Sequence, residues 1–122
     1  MATIQRFEEM EVWKKGRALV NDIYRATAQD PFSTDFALRD QIRKAAISIP
    51  SNIAEGFERD RCGEFIQFLR YAKASAGEVR SHLYHAHDQD SLDDDCFRTL
   101  QSDAESISRQ IQGFIQYLHR TR

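Results

Sequence analysis

The 122 residues carry a net charge of −2 at pH 7 and include only 5 glycines and 2 prolines. A chain of this length supports one domain with a single core, and so few turn-forming residues argue against a turn-rich β protein. The slight negative charge also excludes the strongly basic class of nucleic-acid-binding domains, in which a positive field surrounds the whole chain.

The first predicted helix covers about residues 8–27 and has an unusually wide apolar stripe. Its face toward a core consists of Val12, Gly16, Leu19, Val20, Ile23 and Thr27. Trp13 and Tyr24 lie beside this face and widen it. A bundle helix needs only about three apolar positions in seven, so the surplus predicts contacts between copies of the chain. Asp30-Pro31 ends this segment, because a residue before proline disfavours the helical region.

The second predicted helix covers about residues 36–57 and contains Pro50. Proline removes the hydrogen bond to the carbonyl of Ala46, and it kinks or breaks a helix at a cost of about 3 kcal/mol. Two interpretations follow: one kinked helix, or two helices of which the second is capped by Ser51 or Asn52. We favour one helix kinked at Pro50, because an apolar stripe keeps its phase across the proline. That stripe consists of Ile42, Ala46, Ile49 and Ile53.

The third and fourth predicted helices cover about residues 63–87 and 93–120. Small residues in the middle of the third helix predict tight packing, within the bundle or between subunits: Ala72, Ala74, Ser75, Ala76 and Gly77. The fourth helix has a regular heptad seam, formed by Phe97, Leu100, Ala104, Ile107, Ile111, Phe114 and Leu118. The prediction is an all-α protein, with one antiparallel up-down-up-down four-helix bundle over residues 1–122.

Basic residues cluster along the second helix and just past its end, at Arg39, Arg43, Lys44, Arg59 and Arg61. Arginines at this spacing can contact successive phosphates, which makes the cluster our candidate nucleic-acid site. Carboxylates in the same region explain the cluster equally well, through mutual pairing or a subunit interface. Two weaker basic sets are Arg70, Lys73 and Arg80 on the third helix, and Arg109, Arg120 and Arg122 near the chain end.

The polar residues around the proline resemble an active site only superficially. No histidine or cysteine lies nearby in sequence to activate Ser48 or Ser51, and the interrupted helix needs such groups for its own backbone. We therefore assign the stretch a structural role rather than catalysis. Its members are Pro50, Ser51, Asn52, Glu55 and Gly56.

Histidines and cysteines give no clear metal or redox site. His82 and His85 are one turn apart beside several aspartates and could share a metal, but His87 points elsewhere on a regular helix. A solvated helix end is the favoured interpretation, with no metal and no cofactor. Cys62 and Cys96 begin antiparallel neighbouring helices, which places them at opposite ends of the bundle and excludes a disulfide between them.

Five aromatic residues are candidates for base stacking: Trp13, Tyr24, Phe36, Phe57 and Tyr71. Aromatic residues at helical spacing belong to a core more often than to a binding surface, so we predict core or subunit-interface positions. No apolar run reaches the length of a membrane span, and residues 1–6 lack a signal-peptide core. We expect a cytoplasmic chain with reduced thiols and no membrane contact.

The segment Leu38–Gly56, LRDQIRKAAISIPSNIAEG, resembles the signature of the 23S rRNA intervening-sequence protein family. FEEMEVWK at 7–14 and EFIQFL at 64–69 agree with it, and the resemblance covers about residues 7–83. The segment at 74–78 departs from the glycine-serine pair and glutamate expected there. The resemblance implies bacterial origin, a four-helix bundle and a ring of five subunits, without enzymatic activity.

Some members of that family are encoded inside intervening sequences of 23S rRNA genes. A related branch serves diversity-generating retroelements as accessory proteins that bind nucleic acid and a reverse transcriptase. The expected function is therefore a non-enzymatic homopentamer that presents a surface to RNA, DNA or a protein. The alternatives are a scaffold without nucleic-acid contact, or a small metal-binding enzyme at the histidine-aspartate end.

Overall fold

The computed structural model describes residues 4–121, which form four helices and, within that range, no strand. The helices are α1 (Glu11–Thr27), α2 (Phe36–Glu58), α3 (Cys62–Asp88) and α4 (Asp94–Thr121). Two 3-10 turns precede the first two helices, at Phe7–Glu9 and Phe32–Thr34. Residues 1–3 and the basic residue Arg122 lie outside the described residues.

Each helix packs against two others, so that the four surround one core. α2 packs most extensively on α3, followed by α3 on α4 and α1 on α2, and the α1–α4 contact is the least extensive. Short connections between consecutive helices make neighbours antiparallel, which confirms the predicted four-helix bundle. Ile23, Ile49, Leu83 and Ile111 supply one fully buried side chain from each helix. Within the described residues, every helix is too short or too polar to cross a bilayer.

α2 runs without interruption across Pro50, which confirms one helix rather than two. The proline ring faces α1 at Gly16, where a Cβ would lie 3.4 Å from Pro50 Cδ and 3.3 Å from Ile49 Cγ2. The side chain of Asn52 donates a hydrogen bond to the carbonyl of Ser48 at 2.8 Å. This bond satisfies a backbone group near the interruption, as short polar side chains do around a helix proline. The kink itself stays a prediction.

The helix ends follow local capping chemistry. The Asp35 carboxylate accepts from the backbone N–H of Leu38 at 3.2 Å, and the Asp93 carboxylate accepts from that of Cys96 at 2.7 Å. α1 begins at Glu11, later than the predicted start near residue 8. Met10 has an extended backbone and a buried side chain, which separates the 3-10 turn before it from the helix after it.

The small residues of α3 have two different environments. Ala72 and Ala76 are fully buried, and Ser75 shares a hydrogen bond with Ser48 of α2 at 2.8 Å. These positions explain the close approach of α2 and α3. Gly77 is exposed, and a Cβ built there meets no atom within 4 Å, so packing inside the bundle does not require it.

Candidate nucleic-acid interface

Two arginines of α2 stack on aromatic rings at one corner of the bundle. Arg43 Cζ lies 4.5 Å from the centre of the Tyr24 ring, and Arg39 Cζ lies 4.9 Å from that of the Phe36 ring. Both rings are exposed to solvent. We name Tyr24, Phe36, Arg39 and Arg43 the arginine–aromatic corner; it joins the end of α1 to the start of α2.

Arg43 is held in place by a buried hydroxyl. Its Nε donates to Thr27 Oγ1 at 2.8 Å, and that hydroxyl in turn donates to the carbonyl of Ile23 at 2.7 Å. Thr27 is fully buried, which fixes the direction of the guanidinium. Among residues 4–121, no carboxylate lies within ion-pair distance of Arg43, so its half-buried guanidinium has no anionic partner there.

Arg39 and Lys44 differ in their partners. Arg39 Nε donates to the Asp40 carboxylate at 2.9 Å, and its Nη1 donates to the carbonyl of Ser33 at 3.1 Å. Lys44 is exposed, and within the described chain no carboxylate lies in ion-pair distance of it. The positive charge of Arg39 is therefore partly compensated, whereas that of Lys44 is not.

Arg59 lies just past the far end of α2, about 24 Å along the helix axis from Arg43 at 1.5 Å per residue, and Arg61 directly precedes α3. Arg59 pairs with Glu55 at 3.2 Å and with Glu64 at 3.6 Å, and Arg61 lies 3.9 Å from Glu64. The structure thus separates the five predicted basic residues into two groups. The second group is neutralised by its own carboxylates.

The other two basic sets are engaged in part. Arg80 lies 3.6 Å from Glu105, and Arg109 lies 3.9 Å from the same carboxylate. Arg70 contacts His119 at 3.3 Å. Lys73 and Arg120 have no ion-pair partner among the described residues. What distinguishes the arginine–aromatic corner is that its two arginines lie over exposed aromatic rings.

Comparison with known proteins places the chain in a family. Residues 8–113 match the family model of the 23S rRNA-intervening sequence protein. The chain belongs to that family. A crystal structure of a protein of unknown function from the S23 ribosomal protein family of Bacteroides thetaiotaomicron has the same fold, with a TM-score of 0.78. The two chains are 20% identical, and the match covers 85% of this chain and 97% of the other. The comparison with curated proteins gives no match.

In this member of the 23S rRNA-intervening sequence family, residues around Pro50 contact α3. The side-chain amide of Asn52 donates a hydrogen bond to the Ser48 hydroxyl. The Ser48 hydroxyl in turn shares a hydrogen bond with the hydroxyl of Ser75 on α3. Gly56 lies against Phe68 of α3. Ser51 and Glu55 are exposed on the outer face of α2, and Glu55 pairs with a neighbouring arginine.

Two of the four histidines of this family member contact separate carboxylates. His82 Nε2 lies 3.1 Å from Glu78, and His87 Nε2 lies 2.7 Å from Asp94. The hydrogen bond from His87 lowers the pKa of the exposed Asp94 carboxyl. The rings of His82 and His85 are 6.3 Å apart, and residues 4–121 contain no group of three or more metal-ligating side chains arranged to hold an ion.

The two cysteines are free thiols. Cys62 begins α3, and Cys96 lies in the first turn of α4. Burial, followed by the charges of Asp93 and Asp22, raises the pKa of the Cys96 thiol. A thiol with a raised pKa is a poor nucleophile at neutral pH, so this cysteine does not have the surroundings of a catalytic group.

The aromatic residues divide between the two predicted kinds of position. Trp13 and Phe57 pack against the core. Tyr24, Phe36 and Tyr71 are exposed and lie outside the bundle core, and for these three the subunit-interface position stays a prediction. Helical spacing does not reveal this, because the exposed side depends on how each helix is rotated toward its neighbours.

Proposed function

We propose that this chain is a non-enzymatic, self-assembling four-helix bundle of the cytoplasm that presents the arginine–aromatic corner to RNA or DNA. The observation on which the proposal depends is the guanidinium of Arg43. It is stacked on Tyr24 and bonded to Thr27, and in the described chain it has no carboxylate partner. Such a group is available to a phosphate.

The chemistry of the corner suits a nucleic-acid backbone. Arginine offers two parallel N–H donors to a phosphate, and a guanidinium already fixed by stacking loses little freedom on binding. Arg39 lies one helix turn before Arg43 and adds a second guanidinium that can donate hydrogen bonds to a phosphate. Phe36 is 62% exposed and offers the free side of its ring to an unstacked base.

Self-assembly is supported by apolar surface that the bundle leaves uncovered. The large hydrophobic residues with high exposure are Ile4, Tyr24, Phe36, Ile47, Tyr71, Tyr84 and Tyr117. A ring of five copies, as the family resemblance implies, would repeat the corner around its axis. Repetition places several modest positive patches close together and so strengthens the local positive field, while the net charge stays −2 per chain.

Binding of a fluorescently labelled single-stranded RNA across a salt series tests the nucleic-acid part of the proposal. We expect Arg43→Gln to weaken binding and to reduce the slope of log affinity against log salt by about 0.7, because one fewer phosphate is neutralised. Arg39→Gln gives a second variant that leaves the buried Thr27 bond intact. Fluorescence anisotropy measures both quantities, and circular dichroism verifies that each variant is folded.

Arg59→Gln is the matched control, because Glu55 and Glu64 already neutralise this arginine. It should leave the salt slope near that of the unchanged protein. An equal weakening of binding in Arg59→Gln and Arg43→Gln would mean that total charge, rather than the corner, determines binding. That result contradicts the assignment.

A scaffold without nucleic-acid contact is the second candidate function. It is favoured by the carboxylate partners of Arg39, Arg59 and Arg61. On this hypothesis the exposed aromatic residues serve protein contacts alone, with further copies or with a partner such as the reverse transcriptase of the related branch. Absence of RNA and DNA binding at low salt, from an assembled protein, would select the scaffold.

A further inference from the structure

A groove lies along the α1–α4 contact, the least extensive helix contact of the bundle. Its volume is about 210 Å³, and it is lined by Lys15, Ala18, Leu19, Asp22, Asp103, Ser106 and Ile107. Leu19 and Ile107 form an apolar floor and are themselves almost fully buried. Ala18 is exposed at the rim, and its small side chain leaves the groove open from outside.

One wall of the groove has a carboxylate without an ion-pair partner. Asp22, on α1, pairs with Arg25. Asp103, on α4, has no cation within ion-pair distance among residues 4–121. Burial raises the pKa of Asp103, the nearby Asp22 raises it further, and Lys15 opposes them. A second cation beside Asp103 would therefore be stabilising.

The outer face of α2 offers the complementary features. Ile47 is 40% exposed, and among the described helices no other aliphatic side chain of its size is so exposed. Lys44 lies one turn before it and has no ion-pair partner in the described chain. We name Lys44 and Ile47 the ridge. An apolar group and a charged group are one turn apart on the ridge, as are Ile107 and Asp103 in the groove.

We infer that the α1–α4 groove of one copy receives the α2 ridge of another. Ile47 then lies over Leu19 and Ile107, and the Lys44 ammonium pairs with the Asp103 carboxylate. The inference rests on the proposed self-assembly and names the surfaces that make it. It assigns Lys44 to the contact between copies and leaves Arg39 and Arg43 to nucleic acid.

The ridge and the groove are different surfaces of the chain. The groove lies between α1 and α4, and the ridge lies on α2, which packs on α1 and α3. A contact between two different surfaces is heterologous, so each bound copy still offers one free surface to the next. Heterologous contacts produce a ring when the rotation closes, rather than a two-fold dimer.

Two variants that each disable one surface test this arrangement. Ile47→Asp places a charge on the ridge, and Ala18→Arg fills the groove; both residues are exposed, so the bundle core is unchanged. We expect each variant alone to be a monomer at micromolar concentration by native mass spectrometry. An equimolar mixture should give a dimer with one copy of each, because one intact ridge meets one intact groove.

Ala74→Arg on the exposed face of α3 is the control for an added charge, and it should assemble like the unchanged protein. A charge exchange, Lys44→Asp with Asp103→Lys, should restore assembly that either change alone weakens. If the unchanged protein assembles and both single-surface variants still do, the ridge–groove contact is wrong while self-assembly stands. A mixture that stays monomeric also overturns the contact. A monomeric unchanged protein would instead remove the self-assembly on which it rests.

Discussion

Gly56→Ala is expected to lower the free energy of unfolding by about 2–3 kcal/mol, because there is no space for a methyl group at this position. A Cβ at residue 56 would lie 2.6 Å from Phe68 Cβ and 3.0 Å from the Phe65 ring. The first of these atoms is fixed to the backbone of α3, so α2 and α3 must separate to accept it. Urea unfolding followed by circular dichroism, at one protein concentration, measures the change.

Gly77→Ala is the matched control for this substitution. Position 77 lies in the interior of α3, and a Cβ built there meets nothing within 4 Å. Removing a glycine from an open helix position should raise stability by up to about 1 kcal/mol. If Gly56→Ala is as stable as the unchanged protein, the close approach of α2 and α3 is not as described.

Ile49→Ala is expected to cost about 2–5 kcal/mol of unfolding free energy, as large-to-small changes in a core do. Ile49 is fully buried and lies beside the proline, where its Cγ2 is 3.3 Å from the position of a Cβ on Gly16. The proline turn is thus held by packing of α2 on α1. The same urea titration measures the effect.

Ser51→Ala provides the contrast within the same stretch. Ser51 is exposed on the opposite side of α2, so the substitution should change stability by no more than about 0.5 kcal/mol. A small effect of Ile49→Ala, together with a large effect of Ser51→Ala, would contradict the structural interpretation of the proline stretch. Such a result would indicate that the exposed polar face of α2, which includes Ser51, contributes to stability.

The architecture was predictable because its determinants are local. The heptad seam of α4 and the unbroken apolar phase around Pro50 each follow from residues within a few turns of one another. Asp35 and Asp93 cap helices by the rule for short acceptors before a helix. The late start of α1 was not predictable from the pattern, because the burial of Met10 depends on packing against other helices.

The candidate site was only partly predictable for a related reason. The arginines of α2 are visible in the sequence, but some of their partners come from other elements. Arg43 meets Tyr24 of α1, whereas Arg59 meets Glu64 of α3. These pairings depend on the rotation and offset of helices far apart in sequence. The α1–α4 groove has no local pattern at all, since residues 15–22 and 103–107 form it together.

Sedimentation velocity of the unchanged protein without nucleic acid tests most directly whether copies of this bundle assemble. At micromolar concentration we predict one species several times heavier than a single chain, as a closed ring requires. A single species with the mass of one chain would contradict both the assembly and the surfaces proposed for it.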